Sequence, residues 1–281
     1  MKQLLIFICL IYSGQNIIAQ YPIAKKEDRP FILGQITEIH SNVLSENRVL
    51  NIYLPDGYHE KDSLRYPVIY LLDGSAEEDF IHVVGLVQFM TFPWVNILPK
   101  SIVVGIANVD RRRDFTFPTS IAKDKKDFPT TGKSATFINF LEAELIPFIE
   151  HNYKATASRT IIGQSLGGLL ATEILFKKPY LFSNYFIISP SLWWDKESLL
   201  TWRPEMYQSN FTKPLSIYIA TGNEGRIMKE DAGKLSNILT KEHRNNITVR
   251  SGYFASEDHG SILHIALYKG FQVQNKKPQQ K

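Results

Sequence analysis

Arg159-Thr160-Ile161-Ile162-Gly163-Gln164-Ser165-Leu166-Gly167-Gly168 is an apolar strand that passes straight into a helix through a Gly-x-Ser-x-Gly turn. Two glycines let the strand end and the helix start approach closely around one serine. Ser165 then sits at a helix N-terminus, where free N–H groups and the helix dipole favour developing negative charge. That is the setting of a nucleophilic serine. A dinucleotide loop fits less well, because the spacing is G-x-x-x-G-G rather than G-x-G-x-x-G. A phosphate loop does not fit either, since no lysine follows these glycines. The Thr131-Gly132-Lys133-Ser134 stretch has only the end of such a loop, because no glycine lies five residues before Gly132. A plain glycine-rich turn is the bland reading.

The surrounding pattern is α/β. Upstream, Gly34 to His40 and Arg48 to Leu54 carry period-2 alternation and end at the turn Pro55-Asp56-Gly57. Pro67 to Leu72 and Ser101 to Val109 are continuous apolar runs, as expected of strands covered on both faces. Phe137, Ile138, Leu141, Leu145, Phe148 and Ile149 repeat at helical spacing, with Pro147 predicted to kink or end that helix early. A helix from Leu166 to Lys178 stops at Pro179. Strands are predicted at Tyr185 to Ser189, Ser216 to Ala220 and Ile247 to Phe254, with helices at Glu230 to His243 and Ser261 to Phe271. The expectation is a mostly parallel central sheet with an antiparallel N-terminal edge and helices on both faces. The stretches 75–98, 111–133 and 190–213 are read as loops that shape the pocket, with Lys123 to Asp127 solvated.

The chain has 281 residues, 32 Lys plus Arg against 28 Asp plus Glu, 44% hydrophobic and 21% charged. This is the balance of an ordinary globular protein, long enough for one large domain. It excludes a disordered tail protein, a collagen and a disulfide miniprotein. The small spread-out charge of +4 and the lack of a basic module give no reason to expect nucleic acid. Lys2, the apolar run Leu4 to Tyr12 and a small residue at Ala19 read as a signal peptide, 1–19, followed by one domain, 20–281. The run is short for a membrane span; an uncleaved anchor or a buried strand is the rival reading. The single cysteine, Cys9, lies in this segment and lacks the small preceding residue of a lipoprotein signal. The expectation is an exported protein, periplasmic or secreted, without disulfide, thiol nucleophile or obligate protein partner. Asn210-Phe211-Thr212 and Asn246-Ile247-Thr248 match the glycosylation pattern, which arises often by chance.

A serine nucleophile needs a base. Of the histidines at 40, 59, 82, 151, 243, 259 and 264, His259 follows the last strand in a polar loop just before the final helix. That matches the Ser, acid, His order of the α/β hydrolases. His264 falls inside the helix. Glu224, after the strand ending at Ala220, is the candidate acid; Glu230 and Asp231 are rivals, and Asp258 is too close to His259 in sequence. A Ser-His dyad without an acid stays open. Leu166 and Ser75 are the candidate oxyanion-hole amides, Ser75 lying in the loop after the strand Val68 to Leu72. No metal or organic cofactor is implied, because no H-E-x-x-H and no Cys/His cluster is present.

The ordered blocks L-L-D-G (71–74), N-V-D-R-R-R-D-F-T (108–116), I-G-Q-S-L-G-G (162–168), S-P-S-L-W-W (189–194), T-G-N-E (221–224) and D-H-G-S (258–261) resemble the esterase D and siderophore-esterase family of the α/β-hydrolase fold. The likeness spans roughly 33 to 273 and is strongest to members that cleave catecholate trilactones such as enterobactin, salmochelin and bacillibactin. It implies a serine esterase with Ser165 as nucleophile and His259 as base, acting on a small-molecule ester. In the arginine block, Arg111 and Arg113 are candidate substrate-binding residues, against the alternative of an arginine paired with Asp114 to brace the loop. Trp193 and Trp194 either wall a pocket or belong to the core. A feruloyl or acetyl carbohydrate esterase is the second enzymatic reading. A hydrolase-fold binding protein without turnover is the non-enzymatic one.

Overall fold

The computed structural model describes residues 26–275 apart from 62 and 209. The signal-peptide expectation and Cys9 therefore lie outside the described residues. Contacts divide the chain into Met1–Ile32 and Leu33–Lys281. The described part of the first unit, 26–32, has no helix or strand. The second unit holds one eight-stranded sheet. Among the described residues no helix is long and apolar enough to cross a membrane.

The sheet is built from β1 (Gln35–Ser41), β2 (Glu46–Tyr53), β3 (Tyr66–Leu72), β4 (Ile102–Ile106), β5 (Ala155–Gln164), β6 (Asn184–Ile188), β7 (Leu215–Gly222) and β8 (Ile247–Phe254), in spatial order β1-β2-β4-β3-β5-β6-β7-β8. β1 pairs antiparallel with β2, and β2 antiparallel with β4; every later pairing is parallel. The antiparallel N-terminal edge and parallel body match the sequence expectation.

Alternation along each strand feeds two cores. Val68, Tyr70 and Leu72 of β3, with Leu215, Ile217 and Ile219 of β7, join one apolar cluster. Ile69 and Leu71, with Tyr218 and Ala220, join the other. The first is capped by α4 (Ser134–Phe140), α5 (Ile146–Asn152), α6 (Leu166–Lys177) and α7 (Arg226–Thr240). The second is capped by α1 (Phe80–Thr91) and α8 (Ile262–Gln274). Helices on both faces follow from burying both sides of a parallel sheet.

Three local expectations are corrected. Within 75–98, read as loop, Phe80–Thr91 is a helix that buries Phe80, Val83, Val84, Val87 and Met90. Its β-branched residues and Gly85 mask the helical period, and packing on the sheet overrides the weak propensity. Within 111–133 there are two short helices, α2 (Arg111–Phe115) and α3 (Ala122–Asp127); α2 is capped by the Asp110 side chain, which accepts from the Arg113 N–H at 3.0 Å. Pro147 does not end its helix. A π-helical turn, Leu141–Leu145, precedes it and the helix continues to Asn152. Proline has no N–H to give the carbonyl four residues back, and the wider turn accommodates its ring.

Candidate active site

Six loops leave the C-terminal ends of the parallel strands, the edge where open α/β sheets hold ligands. At the centre β5 ends and Ser165 follows with φ +59° and ψ −120° before α6 begins. This is strained backbone for a serine. A side chain at Gly163 would place its Cβ 2.3 Å from the Gly167 carbonyl oxygen, so only glycine permits the crossing. The Ser165 N–H donates to the Ile188 carbonyl at 3.0 Å, and its own carbonyl receives the Leu169 and Ser191 N–H groups, both at 3.0 Å. The Leu166 N–H is the first of α6 and has no carbonyl one turn back. Ser165 Oγ lies 3.3 Å from Ser191 Oγ.

His259 and Glu224 come together from loops 35 residues apart. Nδ1 of His259 is 2.5 Å from Glu224 Oε2. The Glu224 side chain is 3% exposed and that of His259 48%. The other carboxylate oxygen of Glu224 accepts from the Gly222 N–H at 2.8 Å and from the Ser189 hydroxyl. A buried carboxylate with these donors is held in one orientation, and its acceptor-only chemistry places the histidine proton on Nδ1. The rivals are engaged elsewhere: Glu230 pairs with Arg226, Asp231 with Lys234, and Asp258 accepts the Gly260 and Ser261 N–H groups at the start of α8. The Gln164 side chain, beside the serine, donates to the His259 carbonyl at 2.5 Å. No hydrogen bond joins Ser165 to His259 among the described residues; in free enzymes such bonds are commonly long and tighten around substrate.

The loop after β3 packs against this elbow. Asp73 has φ +56°, and its Oδ2 lies 3.3 Å from where a Gly167 Cβ would stand. The Gly74 N–H donates to the Ile106 carbonyl, and the Gly74 carbonyl accepts from Asn51 Nδ2 at 2.9 Å. Gly74 lies so close to Gly105 that a Cβ would fall 2.4 Å from its Cα. Ser75, half-buried, follows directly.

A cleft of 240 Å³ contains Ser165 and Leu166 and is walled by Arg111, Arg112, Phe128 and Trp193. Two clefts with larger volumes, 380 and 390 Å³, lie along α7 and β8 without the serine or the histidine of the pair, and size alone does not make them catalytic. Trp193 is 42% exposed, whereas Trp194 is 2% exposed and donates its Nε1–H to the Phe117 carbonyl at 2.9 Å. Trp194 is thus a core residue whose edge reaches the cleft.

The substrate-binding expectation for Arg113 is corrected. Its guanidinium forks onto Glu46 at 2.6 and 2.9 Å and onto Asp114 at 2.7 and 3.2 Å, and it does not line the cleft. Glu46 first, then Asp114, hold it well above the ordinary arginine range. The same carboxylates hold Arg48, which is fully buried. Arg111 is at the cleft, but its Nε and Nη2 fork onto Asp73 at 2.6 and 2.9 Å. Arg112, which the sequence reading passed over, also lines the cleft. Ser189, Ser191, Gln164 and Asp73 were missed as well. All stand inside motif blocks already singled out, where their proximity to the reactive residues was the available signal.

A family described as "Putative esterase" matches residues 41–260. The chain belongs to that family. It is a carboxylic ester hydrolase of the α/β-hydrolase fold. The chain is 29% identical to the ferri-bacillibactin esterase BesA of Bacillus subtilis over 248 residues, 81% of this chain and 85% of that one. It superposes on an IroE-like serine hydrolase from Shewanella oneidensis with TM-score 0.77 and 32% identity, covering 86% of this chain and 80% of that one. The BES protein from Bacillus cereus gives TM-score 0.79 and 26% identity, covering 91% and 99%.

Proposed function

We propose that this esterase is a siderophore esterase that opens the ester linkages of an enterobactin-like trilactone through an acyl-enzyme at Ser165. The observation that carries the reading is the contact of His259 with the buried Glu224, in a loop that Gln164, the residue before the serine, holds through the His259 carbonyl. Its similarity to a ferri-bacillibactin esterase supports the substrate class.

In the proposed reaction Ser165 Oγ attacks the ester carbonyl while His259 Nε2 takes its proton, with Glu224 orienting the imidazole and stabilising its charge. The Leu166 and Ser75 N–H groups hold the oxyanion of the tetrahedral intermediate. His259 then protonates the departing alkoxide oxygen as the ester bond breaks, and water, deprotonated by the same histidine, cleaves the acyl–Ser165 bond and releases the acid. A cleft of 240 Å³ is below the roughly 300–1,000 Å³ of typical ligand sites, which fits one arm of a trilactone with the rest outside.

The test is mass spectrometry of products from a tris-catechol trilactone, iron-free and iron-loaded, with 4-nitrophenyl acetate as activity control and Ser165→Ala as blank. Ser165-dependent release of linear trimer, dimer or monomer is expected. Hydrolysis of the nitrophenyl ester with an untouched trilactone would move the substrate to feruloyl or acetyl esters. We further propose that the chain is exported and cut after Ala19, leaving one domain from residue 20. The support is the charged, then apolar, then small-residue order of the N-terminus. Sequencing the N-terminus of the exported product should read from Gln20.

A further inference from the structure

Three consecutive arginines, 111 to 113, meet three different surroundings. Arg113 is spent on Glu46 and Asp114. Arg111 is spent on Asp73, which also accepts from Asn108 Nδ2 at 2.7 Å; Arg111 Nη2 reaches on to the Gln164 carbonyl at 3.3 Å. That guanidinium thus joins the loop carrying Ser75 to the residue before Ser165, and Gln164 extends the chain of bonds to the His259 backbone. Arg112 alone is exposed, lines the cleft with Ser165 and Trp193, and has no ion pair or side-chain hydrogen bond among the described residues. Its guanidinium carbon rests 4.6 Å from the Phe128 ring centre. A planar cation braced on an aromatic face keeps its hydrogen-bond donors free and loses little freedom on binding.

We infer a division of labour: Arg112 is the cation that selects an acidic ester by its anionic group, and Arg111 is a positioning residue that locks the oxyanion loop to the serine elbow. This deepens the esterase reading and rests on it. An arginine neutralised by a bidentate carboxylate attracts a second anion weakly, whereas an unpaired one keeps its full charge.

The experiment compares two esters of equal chain length, 4-nitrophenyl hexanoate and the mono-4-nitrophenyl ester of adipic acid, which carries a terminal carboxylate. In Arg112→Met, which keeps an unbranched apolar stem against Phe128, the ratio of kcat/KM for the acidic over the neutral ester should fall about fivefold, carried by KM. Arg112→Lys should restore most of the ratio. In Arg111→Met the ratio should stay within about twofold, while kcat falls about tenfold or more on both esters. Thermal melting of each variant excludes misfolding as the cause; Arg111→Lys serves if Arg111→Met does not fold. A ratio that collapses with Arg111 and not with Arg112 would overturn the assignment, as would an Arg112→Met ratio equal to wild type. Wild-type protein inert toward both esters would instead overturn the esterase reading together with this one.

Discussion

Glu224 Oε2 stands 2.5 Å from His259 Nδ1, and the Glu224 side chain is almost wholly buried while half of the histidine remains accessible. One partner is fixed by the protein; the other keeps its second ring nitrogen without a hydrogen bond among the described residues. Glu224→Gln keeps the volume but can turn its NH₂ toward Nδ1, which favours the wrong tautomer. A loss of kcat of about 10³–10⁴-fold is expected, with the fold intact by circular dichroism. Initial rates on 4-nitrophenyl acetate check this; a loss below tenfold would mean that the histidine works without its carboxylate.

Gly163 tolerates no side chain, because the Gly167 carbonyl occupies the Cβ position. Gly163→Ala should cost about 3 kcal/mol of stability through overpacking. For a domain of this size that lowers Tm by about 6–12 °C. Calorimetry measures it, and an unchanged Tm would show that the elbow can relax.

Arg48 is fully buried and leans on Asp114, itself 1% exposed. Asp114→Ala leaves a buried cation short of its partner and should destabilise by about 3–5 kcal/mol. Arg113→Gln is expected to be milder, since Arg48 keeps both carboxylates, and to leave KM for an acidic ester within about twofold of wild type. Urea titration reads the first effect and steady-state kinetics the second. A large rise in KM for Arg113→Gln would restore the substrate-binding role withdrawn above.

Asp79, at the start of α1, has its carboxyl pushed up to about 6 by burial, with Asp73 and Glu78 adding to the effect and Arg111 opposing it. A carboxyl raised in the folded state binds more protons folded than unfolded between its ordinary value of 3.8 and about 6. Its contribution to stability is therefore present below pH 3.8 and lost as pH rises through about 6. Asp79→Asn should melt above wild type at pH 8, and the gap should close as pH falls toward 4. Melting curves across pH 4–8 test it; a constant gap would assign the effect to packing.

The strands, the serine elbow and the histidine were legible because each is marked by local residues. Apolar runs mark β3 and β5, two glycines fix the turn around Ser165, and His259 is the loop histidine between the last strand and the last helix. The helix Phe80–Thr91, read as loop, was not legible, because its valines and Gly85 show no clear helical period until the sheet gives them a face to cover. Glu224 could be proposed from its place after β7, but Glu230 and Asp231 stood nearby in sequence and Asp258 stood beside the histidine. Only the folded arrangement, with Ser189 and Gly222 donating to one oxygen and His259 to the other, separates it from them.

The arginine block draws the same line most sharply. From residues 111–113 alone, three adjacent guanidiniums are chemically equivalent, and composition and spacing say only that cations gather beside a strand end. Which of them is neutralised depends on Asp73, Glu46 and Asp114, two of which lie far away in the chain and are brought in by β2 and β3. Covalent order and local periodicity therefore establish the elbow and the sheet. The charge that faces substrate is decided by tertiary packing, because an ion pair depends on distance through space and not on separation along the chain.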